Sequence, residues 1–253
     1  MKVTAVKTDK ITAGQSTIYE ILNRFLPELH EGSVVVITSK IVGLCENRVA
    51  PIGSIDKEEL IMQEADLYLP SKISQYGYHF TYTKNTLVSA SGIDESNSGG
   101  DYYVLWPKDP QGSANEIWKY LKEKTGLQKL GVMITDSACM PARYGTLVLS
   151  IGHCGFLAVN NYIGKPDLFG RPFKVSRSSV AGGLAAAAGI EMGEGTEQTP
   201  IVILEDIPYV NFQDRPPTQA ELDDYYLPAL EDDLFSPFLN SIEWQEGGHG
   251  AKI

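Results

Sequence analysis

The chain has only three cysteines in 253 residues, Cys45, Cys139 and Cys154, and no C-x-x-C pair. An odd number at wide spacing argues against a disulfide framework and against a zinc knuckle, and fits a reducing compartment. Long apolar runs are missing as well. None approaches the roughly 20 residues that span a bilayer, so no membrane segment is expected. The histidines, His30, His79, His153 and His249, are scattered, and neither H-E-x-x-H nor G-x-x-x-x-G-K-[ST] occurs. Zinc-protease and P-loop readings drop out. Basic residues are scarce beside acidic ones, 21 Lys and Arg against 32 Asp and Glu, a formal charge of -11. That excess repels polyanions, so nucleic acid and anionic membrane are not expected partners, and an anionic small substrate needs a local basic pocket. Much of the acidity falls between Asp214 and Glu246. Lysines at positions 2 and 7 stand where a signal peptide needs its apolar core, so a cytoplasmic location is expected.

What is present reads as mixed α and β. Ser33-Val-Val-Val-Ile-Thr38 is a β-branched apolar run with the length of a buried strand. Before it, Ile18, Ile21, Leu22, Phe25, Leu26 and Leu29 recur at three- and four-residue steps, one face of a helix. Asp56-x-x-Glu59 and Ser113-x-x-Glu116 have the capping-box form, and the second predicts a helix through Leu121 to a stop at Gly126. Leu130 to Thr135 and Pro200 to Leu204 read as strands, the first ending at Asp136. From Val180 a glycine- and alanine-rich helix runs towards Met192. Interior glycine costs ~1 kcal/mol against alanine, so this helix makes sense where another backbone, side chain or ligand approaches closely. Residues 213–253 form an acidic extension with one or two short helices.

Three polar loops can carry chemistry. Gly92-Ile-Asp-Glu-Ser-Asn97 gathers two carboxylates, a hydroxyl and an amide after an apparent strand, a donor set suited to Mg²⁺ or Mn²⁺. Its plain alternative is a solvated turn. Thr135-Asp-Ser137 offers the same pair of readings, since Asp and Ser also cap helices. Met192-Gly-Glu-Gly-Thr-Glu-Gln198 supplies Glu194 and two glycines whose N–H groups can cradle phosphate, or else is a polar loop with a glycine helix stop. Ser39-Lys40 is the best early phosphate contact.

Taken in order, these pieces resemble the coenzyme F420-0:L-glutamate ligase family, the gamma-glutamyl ligases, over about residues 1 to 212. Ser91-Gly-Ile-Asp-Glu-Ser-Asn97 resembles the family's Ala-Gly-(Val/Ile)-Asp-x-Ser-Asn, Thr135-Asp-Ser137 its Ser-Asp-(Thr/Ser), and Ala185 to Glu194 its small-residue helix ending in Met-Gly-(Gln/Glu). The resemblance implies an α+β fold of two interleaved subdomains sharing one core in residues 1–212, with 213–253 as an appendage, and a homodimer. It implies GTP as nucleotide, with ATP open, and two Mg²⁺ or Mn²⁺ ions. Asp94 and Asp136 would hold one ion, Ser137 and Glu194 the other, and Asn97 would touch the nucleotide. Thr8, Asp9, Lys10, Ile11, Ser39 and Lys40, with Gly193, Gly195, Thr196, Glu197 and Gln198, would line the rest of its site. Arg143, and also Arg171 or Lys174, would hold carboxylate or phosphate oxygens.

The implied reaction joins L-glutamate to an acidic acceptor, by default coenzyme F420-0, through an acyl phosphate. Two departures bear on it. Val42-Gly-Leu-Cys-Glu-Asn-Arg48 has Leu44 where the family has a lysine expected to face the nucleotide. Ser137-Ala-Cys-Met-Pro-Ala-Arg143 stands for Thr-Phe-Gly-Arg-Pro-Trp-Arg, so segment 138–142 is expected to offer a flat deazaflavin fewer rings, with Phe169 and Phe173 as replacements. The competing classes are an acidic acceptor other than F420-0, a nucleotide-binding regulatory protein without turnover, and a scaffold acting through its acidic tail.

Overall fold

The computed structural model describes residues 1–99 and 101–250. The chain opens with β1 (Lys2–Val6), α1 (Ile18–Phe25), β2 (Ser33–Thr38) and α2 (Ser39–Cys45). Shorter pieces follow: β3 (Val49–Pro51), α3 (Lys57–Glu64), β4 (Leu67–Leu69), β5 (Phe80–Thr83), β6 (Thr86–Ser89) and β7 (Tyr102–Val104). Next come α4 (Pro110–Thr125), β8 (Leu130–Cys139), β9 (Thr146–Cys154), β10 (Val159–Asn161), β11 (Arg177–Ser179), α5 (Val180–Met192) and β12 (Ile201–Glu205). The last elements are α6 (Gln219–Tyr225), α7 (Ser236–Leu239) and β13 (Gln245–Glu246). The class is α+β, as expected.

Five strands form the main sheet in the order β1-β12-β2-β8-β9, parallel only between β2 and β8. Its apolar run Val34 to Ile37 is sealed on both faces, which is why it does not alternate with polar residues. Val35 and Ile37 join Leu22, Leu44, Ile117 and Leu121 beneath α1, α2 and α4, while Val34 and Val36 join Leu184, Ala185 and Ala188 of α5. Fully burying each such side chain is worth about 1.5–3 kcal/mol. The small residues of α5 serve a close approach. A Cβ on Gly189 would lie 2.4 Å from Val148 Cγ2 on β9, so the helix sits nearer the sheet than a bulkier face allows.

A second sheet, β13-β4-β5-β6, is antiparallel throughout and small, and β3 pairs with β7 beside it. The acidic extension ties itself to this sheet. Gln245 and Glu246 pair with Tyr68 and Leu67, and Tyr82 donates through its hydroxyl to the Pro228 carbonyl at 3.2 Å. Residues 251–253 of that extension lie outside the described residues. Among the described residues no helix is long and apolar enough to cross a membrane.

Several local expectations need correction. The helix before β2 ends at Phe25, with Leu26 as its C-cap, and Leu29 is buried beyond it. Its N-terminus carries a full capping box between Thr17 and Glu20. Asp56 caps α3 by accepting from the Glu58 and Glu59 N–H groups. Ser113 caps nothing. Pro110, at the first position of α4 where its missing N–H costs least, starts that helix earlier under an Asp109 cap. The strand from Leu130 continues past Asp136 to Cys139, because β9 keeps pairing with it after β2 has ended.

Candidate active site

Asp136 stands where the main sheet changes. The β2–β8 pairing stops at Thr38–Thr135, and a bulge between Ile134 and Thr135 shifts the register on β9. A bulge bends and twists its strand, and such features often aim a side chain at a site. The Asp136 carboxylate takes a hydrogen bond from Trp106 Nε1 at 2.6 Å and one from Ser39 Oγ, at the start of α2, at 3.0 Å. Both donors are neutral. Burial pushes its pKa up to about 6; those donors pull the other way, and the Asp94 charge adds to the rise.

Asp94 is positioned by a strained loop. Ala90, Ser91 and Gly92 have φ of 53°, 53° and 69°, a left-handed turn that is costly for the first two. The turn is held by four bonds. Ala90 N–H donates to the His79 carbonyl and Ile93 N–H to that of Ala90, both at 2.9 Å, while Ser91 donates from N to Thr81 Oγ1 and from Oγ to the Ile61 carbonyl. Gly92 is required twice over: its φ is positive, and a Cβ there would lie 2.1 Å from Trp106 Nε1. Asp94 then exchanges backbone bonds with Val104 on β7. Its carboxylate meets Lys40 Nζ at 2.5 Å and Ser96 N–H at 2.8 Å. Burial alone would raise its pKa, but the Lys40 ammonium and the Ser96 bonds prevail and hold it below the ordinary range.

The two aspartates open on one cleft of about 1080 Å³, together with Thr8 to Thr12, Lys40, Lys57, Gly77 to His79, Glu95 to Asn97, Ser137 and residues 192–200. The structure thus gathers Asp94, Asp136, Ser137, Glu194, Thr8, Asp9, Lys10, Ile11, Lys40, Asn97, Gly193, Gly195, Thr196, Glu197 and Gln198 around one space, with Ser39 behind Asp136. Glu194 accepts from Ser137 Oγ at 2.7 Å and Thr146 Oγ1 at 3.0 Å. Asn97 Nδ2 donates to the Gly195 carbonyl at 2.9 Å, tying two of the loops together.

Other expectations fail against this geometry. Both glycine N–H groups of the 193–198 loop are occupied, that of Gly193 by the Gly189 carbonyl and that of Gly195 by Glu197 Oε2, so they do not stand open for phosphate. Leu44 backs the cleft wall but is 1% exposed and belongs to the core. Ala138 is likewise core, and segment 138–142 does not line the cleft. Arg143 is exposed at the β8–β9 turn and donates to the Ala142 carbonyl, while Arg171, Lys174 and Phe169 lie exposed on the β10–β11 hairpin. Sequence reasoning missed Trp106, Lys57 and Tyr78. Tryptophan in an apolar stretch carries no sign of a carboxylate partner. The tight fit of Gly92 against its ring was the only clue, and it needs coordinates to read.

Among the described lining residues six carboxylates, Asp9, Asp94, Glu95, Asp136, Glu194 and Glu197, face three lysines, Lys10, Lys40 and Lys57. Such a cleft repels a triphosphate unless cations enter with it. Among the described residues no group of three or more His, Cys, Asp or Glu encloses an ion unaided. Mg²⁺ typically takes one or two carboxylates and completes its shell with water and substrate phosphate.

The chain matches the model of the F420-0:gamma-glutamyl ligase family over residues 5–206. It is similar to the coenzyme F420:L-glutamate ligase of Methanothermobacter thermautotrophicus, 32% identical over 217 residues that cover 79% of this chain and 86% of that one. The protein of the same description from Methanocaldococcus jannaschii is 32% identical over 209 residues, 74% of this chain and 81% of its own. That of Methanococcus maripaludis is 33% identical over 225 residues, 82% and 89% of the two chains.

Proposed function

This chain belongs to the F420-0:gamma-glutamyl ligase family, and from that membership we propose that it is a metal- and GTP-dependent ligase joining L-glutamate to the acidic acceptor coenzyme F420-0. The excess of carboxylates over lysines in the cleft carries the metal requirement. Asp94 and Asp136, with Ser137 and Glu194 across the loop, are the residues that would hold one or two Mg²⁺ or Mn²⁺ ions. Bound there, the ions supply positive charge against the triphosphate.

Lys40 is the chain's own contribution to phosphate binding. Its ammonium bridges Asp94 and the Ser96 carbonyl, so it is held at the cleft floor and can pass from Asp94 to a phosphate oxygen once Asp94 is otherwise occupied. Asn97 and the 193–200 segment close the nucleotide from one side. A carboxylate oxygen of the acceptor attacks the γ-phosphorus, GDP leaves, and an acyl phosphate forms. The glutamate amine then attacks the acyl carbon, phosphate departs, and the nitrogen loses its proton as the amide forms. Both steps depend chiefly on holding the reacting groups in line and shielding their charge.

A homodimer in the cytoplasm completes the proposal. Supporting the dimer, Leu168 and Phe169 at the tip of the β10–β11 hairpin are 98% and 88% exposed, an apolar tip that none of the described residues covers. Of the two sequence departures that favoured a regulatory protein without turnover, Leu44 is a core residue and segment 138–142, exposed from Cys139 on, lies outside the cleft lining, so neither removes a group from the cleft. The test is mass detection of the amide product from purified protein with the acceptor, glutamate, Mg²⁺ or Mn²⁺, and GTP or ATP. No product under any combination rejects the ligase. Product with ATP alone corrects the nucleotide, and product that needs no divalent ion rejects the metal.

A further inference from the structure

α3 has eight residues, and an isolated helix shorter than about 12 is marginal in water. Its last turn leaves carbonyls that the helix itself cannot satisfy. The far end of the chain supplies partners. Gly248 N–H donates to the Met62 carbonyl at 2.9 Å, Gly250 N–H to that of Gln63 at 2.8 Å and His249 N–H to that of Ala65 at 3.0 Å. Gly247 N–H reaches the Asp66 carbonyl, just past the helix, at 2.9 Å, and His249 Nδ1 lies 3.1 Å from the Asp66 carboxylate. So close an approach needs glycine. A Cβ on Gly247 would lie 2.1 Å from the Ala65 carbonyl oxygen, and one on Gly248 2.7 Å from that of Gln63. The pairing of Gln245 and Glu246 with β4 delivers the segment to this place, and all of it lies beyond residues 5–206, the part that the family model matches.

α3 in turn reaches the cleft. Lys57 and Ile61 line it, and Lys57 Nζ donates to Glu95 Oε2, one residue past Asp94, at 2.9 Å. The second link runs through the Ile61 carbonyl, which takes the Ser91 Oγ bond at 2.9 Å. Ser91 belongs to the left-handed turn that aims Asp94, and a strained turn persists only where its surroundings over-determine it. One of the bonds that does so is therefore made to a helix whose end is tied down by residues some 180 positions further along the chain.

We propose that residues 247–250 are a strap that positions Asp94 for the cation, acting through α3, the Ile61 carbonyl and Ser91. The inference rests on the metal-dependent ligase reading above. The strap residues lie outside the cleft lining, so they are positioning residues rather than ligands. With the strap seated, the last turn of α3 is fixed and Ser91 has its acceptor. With the strap displaced, that turn frays, the strain at Ala90 and Ser91 is released, and Asp94 leaves the place where it faces Asp136 across the cleft. Seating of the strap and binding of the cation then favour the same state of the turn, and two such events are coupled in both directions.

The first measurement is amide hydrogen exchange in the wild-type protein with and without Mn²⁺–GTP. The Gly248, His249 and Gly250 amides should exchange more slowly with the nucleotide bound, while that of Leu239, bonded to Phe235 at the start of α7, should not change. The second is a double-mutant cycle on GTP affinity in Mn²⁺ with Gly247→Ala and Ser91→Ala. Each variant should raise Kd at least about fivefold, and affinity without divalent ion should hold. The double variant should be no weaker than the weaker single one, because both break the same chain of contacts. Strap amides indifferent to bound Mn²⁺–GTP overturn the proposal, and that outcome needs no variant to fold. A Kd unmoved by Gly247→Ala, an equal loss without the ion, or losses that multiply in the double variant overturn it as well, whatever happens to Tm. Wild-type protein that binds neither Mn²⁺–GTP nor Mn²⁺–ATP overturns the ligase reading and the strap's role with it.

Discussion

The two aspartates of the cleft are chemically identical and differently housed. Asp136 stands on the five-stranded sheet, anchored by strands sealed on both faces and bonded only to neutral donors, and its pKa is pushed up to about 6. Asp94 stands on a strained loop beside the small sheet, paired with an ammonium, and its pKa is held low. Environments that drive like groups apart are a hallmark of working sites. Here the difference separates a carboxylate that is costly to ionise from one whose charged form is favoured. The junction between the two regions is Arg48: its Nε donates to the Trp106 carbonyl at 3.1 Å and its Nη2 to Glu64 at 2.5 Å.

The largest effect should come from the large sheet's packing. Leu44→Lys places an ammonium among Leu22, Val35 and Ile37, losing leucine burial and adding an unpaired charge, a cost on the order of 5 kcal/mol. Urea denaturation at pH 7.5 should show little folded protein. A variant of normal stability with tighter GTP binding would instead put Leu44 on the nucleotide. Next is the junction. Arg48→Met leaves Glu64 buried without its cation and frees the Trp106 backbone, so about 3–5 kcal/mol should be lost by the same measurement.

Asp136→Asn works in the opposite direction. Asn can accept from Trp106 and donate to Ser39, so the contacts survive while the charge goes. The folded pKa lies above the unfolded one, so the protonated form's advantage is complete below about pH 4 and is lost as pH climbs through about 6. The rise from 3.8 to about 6 corresponds to roughly 3 kcal/mol. The metal-free Asn variant should therefore match wild type near pH 4 and exceed it at pH 7.5, read as Tm across that range. Mn²⁺ with GTP should raise the Tm of wild type and leave the variant where it was. A constant difference across the pH range defeats the assignment.

The same contrast explains what the sequence made legible. The large sheet was readable because its strands are apolar runs of strand length and its motifs sit at their ends: β2, β8, β12 and the small-residue helix were all visible. The cleft residues were found because carboxylates, amides and glycines in short loops have few structural uses. Less visible was whatever depends on side-chain contact across the fold. Trp106 and Leu44 each read as an apolar residue, and only packing shows one touching Asp136 and the other sealed in the core. Segment 138–142 was misplaced for a related reason: β9 keeps β8 extended, which carries the segment away from the cleft.

The smallest stability effect should belong to Asp94→Asn, and that smallness is informative. The Asp94 side chain is 41% exposed, so solvent screens its pairing with Lys40, and exposed ion pairs are worth about 0–1 kcal/mol. Asparagine keeps the acceptor for the Ser96 N–H, and the backbone exchange with Val104 does not involve the side chain at all. The loop's shape is fixed by Thr81, Ile61 and Trp106, so the variant should fold with Tm within a few degrees of wild type. Function should part company with stability. One carboxylate of the cation site is gone and Lys40 is released to the cleft, so titration with GTP in Mn²⁺ should show at least a tenfold loss, and titration without divalent ion little change. Asp136→Asn loses the same binding while gaining stability at pH 7.5. Two variants alike in binding and opposite in stability would show that the pair acts together on the metal and separately on the fold; unchanged GTP affinity in both would remove the metal from this site.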